Sequence, residues 1–188
     1  MKTLTNLSVQ YRSFRAILAL VVVLLLGFAV QPATAAITSY EGNSLVKVKV
    51  VRQTGTAITS STSWVDIPGS VATFTVSGSF DYLFIARFAA ESACYGSTGY
   101  CKVRILLNGA EMDPVVGEEY AFDSSDNGAE SSASWEGHAV ERSRALCGQA
   151  TTVTVKVQYK VSNAATTFRL DDWHLTAEQF STGGSCVP

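Results

Sequence analysis

The segment from Tyr82 to Asn108 constrains the fold of this chain more than any other stretch. It holds an apolar run, a glycine-containing loop between Cys94 and Cys101, and a second apolar run. Aromatic residues in the first run and the glycines nearby favour strands over a helix. We predict two neighbouring strands of one sheet, joined by a Cys94–Cys101 disulfide. Asn108-Gly109 then predicts a type I′ hairpin turn, because both residues accept positive φ angles.

Alternation of apolar and polar residues predicts further strands on both sides of this segment. Thr151–Val161 alternates most regularly. In Leu45–Arg52 we expect three valines to face the core and Lys47 and Lys49 to face solvent. Residues 36–43 are polar and are expected to be loose. The turn pair Pro68-Gly69 is expected to end a short strand.

Trp135–Leu146 is ambiguous between a strand and a helical turn, and we interpret it as a strand. Trp135, Gly137 and Ala139 would then share one face.

The last apolar stretch, Thr167–Ala177, breaks its own alternation. Phe168 and Leu170 share one phase, whereas Trp173 and Leu175 share a phase that is one step off. If one residue at Asp171-Asp172 is an insertion in the strand, both groups can face the core. This pattern predicts a β-bulge.

Residues 1–35 have the features of an export signal. Three basic residues, Lys2, Arg12 and Arg15, precede the apolar run Ala16–Val30, and small residues follow it at positions 33–35. The run is about 15 residues long, shorter than the about 20 that a membrane span needs. We predict a cleaved signal and a secreted, extracellular protein. An uncleaved anchor is the alternative.

The mature part, residues 36–188, is predicted to be a single domain. Short strands, frequent turn signals and the lack of helical periodicity predict an all-β fold: an antiparallel two-sheet sandwich or jelly roll of about nine or ten strands.

The charge balance restricts the class of partner. The whole chain carries a formal net charge of −2, and loss of the basic leader would make it more negative. No basic run follows the leader, which argues against nucleic acid and against an anionic membrane as partner.

All four cysteines lie in the predicted exported part, which indicates two disulfides. Three pairings are possible, and we favour Cys94–Cys101 with Cys147–Cys186. A zinc site is the alternative, but the cysteines lack the Cys-x-x-Cys spacing that such sites use.

The segment Asp123 to Gly128 resembles the start of a calcium loop. Oxygen-bearing side chains occupy its first, third and fifth positions, Asp123, Ser125 and Asn127, and glycine occupies the sixth. The acid expected at position twelve is absent, because that residue is Ser134. Calcium is the one cofactor that the sequence suggests, and otherwise we expect none.

The two histidines, His138 and His174, have carboxylates near them in sequence: Glu136, Asp171 and Asp172. Such a set could hold a metal or provide a catalytic base. However, no His-x-His or His-Glu-x-x-His spacing and no Gly-x-Ser-x-Gly elbow occurs. Structural, hydrogen-bonded histidines are the alternative.

Paired carboxylates could cleave a glycosidic bond if they lie about 5–9 Å apart. The candidates are Asp171, Asp172, Glu136 and Glu141. The alternative is a structural salt-bridge network with Arg142, Arg144 and Arg169.

Aromatic residues could provide a platform on which sugar rings stack. Tyr95 and Tyr100 border the cysteine loop and are the better candidates. Trp64, Trp135 and Trp173 are further candidates, although Trp135 and Trp173 are better explained as core residues.

Four segments carry a resemblance to secreted bacterial jelly-roll modules of the C1q/TNF-like type. They are VATFTVSGSFDYLFIARF, VRILLNG, LCGQATTVTVKVQYKV and TTFRLDDWHLTAEQF. The chain is similar to sugar-binding sandwich modules to about the same degree. The resemblance implies a sandwich that can form trimers through one sheet face. The four cysteines and the long acidic loop depart from the C1q/TNF pattern.

From these features we predict an exported, non-enzymatic recognition or surface-assembly module that binds carbohydrate or a cell-surface partner. The alternatives are a small secreted glycan-active enzyme and a structural coat or matrix subunit. The predicted binding residues are Tyr95, Tyr100, Glu136, His138, Asp172 and His174.

Overall fold

The computed structural model describes residues 37–43, 47–76, 81–117, 120–147 and 151–181. For residues 37–43 it describes the backbone alone. All of these residues belong to the unit Ala35–Pro188. The predicted export signal lies outside the described residues.

The described residues form eleven strands and one short 3₁₀ helix. These are β1 (Ile37–Asn43), β2 (Lys47–Gln53), β3 (Ala57–Thr59), β4 (Val65–Thr75), β5 (Tyr82–Gly96), β6 (Tyr100–Leu107), β7 (Ala110–Glu111), β8 (Asp123–Ser124), the 3₁₀ helix Asp126–Gly128, β9 (Glu136–Leu146), β10 (Thr152–Val161) and β11 (Thr166–Ser181). Within the described ranges, no helix has the length and apolarity needed to cross a bilayer.

The strands pair antiparallel in two sheets, which confirms the predicted all-β sandwich. The first sheet has the order β1-β2-β11-β5-β9, with β3 also paired to β11. The second has the order β4-β10-β6-β7, with β8 also paired to β6. Strand β1 corrects the prediction that residues 36–43 are loose, because its backbone pairs with β2 along its whole length.

The core lies between the sheets and consists of the alternate residues of each strand. On β10, Val153 and the apolar residues that alternate with it are buried, as the sequence predicts. Trp173 and Phe88 pack in the same core, with ring centroids 6.0 Å apart. Tyr159 reaches from the core to the backbone and donates its hydroxyl to the Ile58 carbonyl at 3.0 Å. Burial raises the pKa of this phenol above its ordinary value.

The disulfide between Cys94 and Cys101 is confirmed. The prediction that its two strands are neighbours in one sheet is wrong, because β5 belongs to the first sheet and β6 to the second. Both cysteines point into the core and are at most 1% exposed. The bond therefore joins the two layers. Cys147 is also disulfide-bonded, and its predicted partner Cys186 lies outside the described residues.

Strand β2 faces the core with the residues that were expected to face solvent. Val51 is buried, so Lys47 and Lys49, which alternate with it, point the same way. The Lys47 ammonium donates to the Thr75 carbonyl at 2.8 Å, and the Lys49 ammonium lies 5.9 Å from the centre of the Phe74 ring. Lysine tolerates this position because its aliphatic stem packs while its charge reaches the edge of the core.

Strand β9 confirms the strand interpretation of 136–146, but its predicted core face is wrong. Val140 is buried, so the even-numbered residues face the core and Gly137 and Ala139 face outward. Glycine and alanine gave little periodic signal, and the large ring of Trp135 before the strand dominated the prediction.

The predicted bulge in the last strand is confirmed. The register between β11 and β5 shifts between Asp171 and His174, and Asp172 has a φ of 44°. Leu170 and Trp173 are both fully buried as a result.

Strand β4 runs through Pro68-Gly69, where the sequence predicted an end. Residues 67–70 bulge away from β10, and Gly69 has a φ of 79°. The buried Ser70 hydroxyl supports the bulge, since it lies 2.8 Å from the Ile67 carbonyl and 3.1 Å from the Val157 carbonyl.

Candidate functional site

Three loops meet at one end of the sandwich, and a buried serine joins two of them. The Ser125 hydroxyl accepts a hydrogen bond from the Gly99 amide at 2.9 Å and donates to the Ser97 carbonyl at 2.9 Å. Gly99 has no room for a side chain, because a Cβ there would lie 2.6 Å from Thr166 Oγ1. The backbone of residues 97–99 is therefore held closely against the loop that follows β8.

The 3₁₀ turn after Ser125 projects two polar side chains outward. Asp126 and Asn127 have φ angles of 42° and 56°, a left-handed conformation that these residue types accept better than most. Both residues are exposed. Within the described part of the chain, neither side chain makes a hydrogen bond, so both are available to a ligand.

Tyr100 forms the apolar wall of a cleft beside this turn. Its amide donates to Ser162 Oγ at 2.8 Å and its carbonyl accepts from the Ser162 amide at 2.9 Å, which fixes its backbone. The side chain is 47% exposed, more than any other aromatic side chain described. The Tyr100 cleft, as we name it, has a volume of about 300 Å³. It is lined by Thr98, Gly99, Tyr100, Ser124, Asp126, Asn127 and Ser162.

The other aromatic candidates are less accessible. Tyr95 is half-buried, and it lines none of the described clefts. The Arg104 guanidinium lies 4.5 Å from the centre of the Trp64 ring, and Arg169 lies 4.7 Å from that of Trp135. Trp173 is fully buried. Trp135 therefore packs against an arginine and is not a core residue, whereas Trp173 is one.

A second cluster, the His138 cluster, consists of Ser92, Asp123, Glu136 and His138. The Ser92 hydroxyl donates to Asp123 Oδ2 at 2.6 Å and lies 2.9 Å from His138 Nδ1. On the other side of the ring, His138 Nε2 lies 3.4 Å from Glu136 Oε2. Ser92 is fully buried, so it is not accessible as a nucleophile. The cluster opens into a cavity of about 530 Å³, which is lined by Ala121, Phe122, Asp123, Ser124, Asp126, Glu130, Glu136 and His138.

His174 and Asp172 lie at a different place from the side chain of His138. Trp173 points into the core, so His174 points to the outer face of the first sheet, opposite Ala89. A shallow groove of about 400 Å³ crosses this face. It is lined by Ala89, Ala90, Glu91, Gly137, His138, Ala139, Asp172 and His174. The four predicted residues therefore form two pairs, and residue 138 borders both regions.

The three residues of the predicted calcium loop point to three places. Asp123 belongs to the His138 cluster, Ser125 is buried between the loops, and Asn127 lines the Tyr100 cleft. Calcium binding by this loop stays a prediction.

The predicted carboxylate pairs are largely engaged elsewhere. Asp171 accepts hydrogen bonds from Thr56 and from the Asp172 amide, and Glu141 forms an ion pair with Arg87. Glu136 instead lies near Asp123, with one oxygen of each within 4.8 Å of the other. Cleavage of glycans by such a pair stays a prediction.

The three arginines of the salt-bridge alternative also have partners other than the predicted carboxylates. Arg144 lies 3.9 Å from Asp113, and Arg169 donates to the Ser132 carbonyl. Arg142 donates to the backbone carbonyl of Glu141.

The fold and the site together define a class: a disulfide-linked, two-sheet β-sandwich with a small polar cleft and one exposed aromatic ring at one end. A scan of protein-family models and a search of curated protein sequences give no match.

Among solved structures, the chain is similar to dimeric latent PorU from Porphyromonas gingivalis, with a TM-score of 0.48 and 13% identity over 80% of this chain and 14% of that one. It is also similar to the insecticidal delta-endotoxin Cry8Ea1 from Bacillus thuringiensis, with a TM-score of 0.30 and 10% identity over 68% of this chain and 19% of the toxin. A third similar structure holds the CBM22-1 and GH10 modules of xylanase 10B from Clostridium thermocellum complexed with xylohexaose, with a TM-score of 0.25 and 15% identity over 84% of this chain and 26% of that one. The chain spans about a quarter or less of each of these proteins. No score reaches 0.5, so the function is inferred from the geometry of this chain alone.

Proposed function

We propose that this chain is an exported, non-enzymatic recognition module that binds carbohydrate in the Tyr100 cleft. One observation carries the proposal: the most exposed aromatic ring described borders a cleft whose other side chains are polar. Sugars present apolar C–H faces and polar hydroxyl edges, so they are bound by an aromatic face combined with a few polar groups.

The polar residues of the cleft match the hydroxyl edge of a sugar. The Asp126 carboxylate accepts hydrogen bonds, and the Asn127 amide both donates and accepts them. Serine hydroxyls at positions 124 and 162 can do either. Because Asp126 lies in the cleft and no arginine or lysine lines it, a neutral sugar is favoured over a uronic acid.

The size of the cleft limits the ligand. A volume of about 300 Å³ lies at the lower end of the range for small-molecule sites. The cleft therefore suits a short saccharide or the end of a longer chain. Export is supported by the Cys94–Cys101 disulfide, since such bonds persist in oxidising compartments.

Replacing Tyr100 by alanine should weaken saccharide binding at least about tenfold, because the stacking surface is lost. The measurement is isothermal titration calorimetry with the neutral oligosaccharide that binds best in a glycan panel. Tyr100→Phe is the matched control and should retain most of the affinity, since it keeps the ring. Tyr95→Ala should leave binding unchanged, because Tyr95 lies outside the cleft.

Unchanged affinity in Tyr100→Ala would refute the proposed site. Release of shorter sugars from the ligand would refute the non-enzymatic assignment and favour the glycan-active enzyme. Concentration-dependent trimers or fibres in light scattering, without any glycan binding, would favour the assembly and coat alternatives.

A further inference from the structure

We propose that Asp123, Glu136 and His138 bind a divalent transition-metal ion of the Zn²⁺ type. The inference goes beyond saccharide binding and concerns the cavity beside the Tyr100 cleft. Each of the three residues offers one ligand atom, and these atoms all lie within 4.8 Å of one another. Imidazole nitrogen and carboxylate oxygen are both zinc ligands, and accessible zinc sites use three protein ligands with a further position open to water.

The fold positions these three groups without any local sequence motif. Glu136 and His138 are two residues apart on β9, so they lie on the same face of the strand. Asp123 comes from β8, which pairs with the second sheet. The 3.4 Å between His138 Nε2 and Glu136 Oε2 is close to the separation of about 3.4 Å between two ligands of a tetrahedral ion with bonds of about 2.1 Å.

The buried serine sets the orientation and the tautomer of the imidazole. Ser92 has one hydroxyl proton, and it donates this proton to Asp123 Oδ2. His138 Nδ1 must then donate to Ser92 Oγ across their 2.9 Å separation. In the neutral ring this leaves the lone pair on Nε2, which faces Glu136. Metal-binding histidines generally have such a partner on their second nitrogen.

The charge of the cluster favours a bound cation. A lone pair and a carboxylate oxygen repel each other at 3.4 Å unless a proton or a metal ion lies between them. Asp123 is 9% exposed, and within the described ranges it has no lysine or arginine partner. Its carboxylate accepts hydrogen bonds from Ser92 and from the Ser124 amide alone. A divalent ion would neutralise both carboxylates.

The imidazole nitrogen of His138 favours a transition-metal ion over calcium. Calcium takes oxygen ligands, whereas zinc and its neighbours accept a mixed nitrogen and oxygen set. The cavity of about 530 Å³ gives the ion and its water ligands access from solvent. Asp126 and Glu130 on its walls make the approach to the site more negative.

The test is a titration of metal-free, oxidised full-length protein with Zn²⁺ in competition with a chromogenic chelator. We expect one equivalent to bind with a dissociation constant of about 1 μM or lower. Bound Co²⁺ should show the visible absorption bands that are typical of an ion with a low coordination number. His138→Ala should weaken binding at least about 100-fold. The matched control is His174→Ala, which removes the other histidine and should bind as the unchanged protein does.

Two further variants separate metal binding from folding. Glu136 is exposed, so Glu136→Gln should keep the thermal unfolding midpoint while it weakens Zn²⁺ binding. Ser92→Ala should weaken it about 10- to 100-fold and shift the Co²⁺ bands, since Ser92 positions the ring and does not touch the metal. The proposal is overturned if no saturable Zn²⁺ binding occurs, if His174→Ala loses it equally, or if Ca²⁺ binds in its place.

Discussion

Deletion of Asp172 is expected to remove the bulge from β11 and to leave the fold intact. Between Asp171 and His174, β11 advances three residues while β5 advances two, and Asp172 is the additional residue. Without it, both strands advance two residues, so Leu170 and Trp173 alternate regularly with Asp171 and both still face the core.

A deletion in the regular part of β11 should be far more costly. Without Arg169, Phe168 and Leu170 would be adjacent and could not both face the core. Each large apolar side chain that leaves the core costs about 1.5–3 kcal/mol, and a polar side chain that enters in its place adds to this cost.

The matched variant at position 172 is Asp172→Gly, which keeps the number of residues in the strand. Because Asp172 has a φ of 44°, glycine should be neutral or should stabilise the fold by up to about 1 kcal/mol. Near-ultraviolet circular dichroism and urea unfolding distinguish the variants. Loss of the native spectrum in the Asp172 deletion variant, or a native spectrum in the Arg169 deletion variant, would contradict the role assigned to the bulge.

The double variant Cys94→Ala, Cys101→Ala is expected to lose about 2–2.5 kcal/mol of unfolding free energy. The cysteines are 7 residues apart, and closing a loop of this length stabilises a protein by about that amount in the chain-entropy model. The bond also joins the two sheets next to the Tyr100 cleft. Its loss should therefore loosen the wall of the cleft as well as the fold.

Amide hydrogen exchange measures the second effect without any ligand. The Gly99 and Tyr100 amides donate to Ser125 and Ser162, and their exchange should accelerate in the double variant. The matched control is the variant Cys147→Ala, Cys186→Ala. Cys147 follows the last residue of β9, whereas the cleft is near the first. The control should lose stability but keep slow exchange at Gly99 and Tyr100; equal acceleration in both variants would contradict a local role for the Cys94–Cys101 bond.

Strands with two strictly different faces could be predicted from sequence. Thr151–Val161 has five apolar residues in one phase, and the bulge in β11 follows from two such phases that differ by one step. The prediction failed where burial did not follow polarity. The lysines of β2 reach across the edge of the core with their stems, and β9 carries small residues that give no signal. Sheet membership of β5 and β6 was also wrong, because a disulfide is compatible with strands in one layer or in two.

In the candidate sites, too, only part of the arrangement could be predicted from sequence. Tyr100, Glu136 and His138 could be selected because their side chains carry recognisable chemistry on loops and strand ends. Ser92 was missed, because it lies in the most apolar strand and a single serine there resembles a tolerated small core residue. The one available signal was its phase: it alternates with Ala90 and Cys94, so it had to face the core and needed a hydrogen-bond partner. That Asp123 would be this partner depends on pairing between distant strands.

The bulge at Pro68-Gly69 has a consequence for association between copies of the chain. Among the described strands, β4 pairs with β10 alone, so its other side is an open row of backbone groups. Proline offers no N–H to an incoming strand, and the left-handed glycine bends the ribbon away from flatness. A second molecule that tried to extend the sheet there would meet a gap in the hydrogen-bonding ladder. Self-association into fibrils along this border is thereby discouraged.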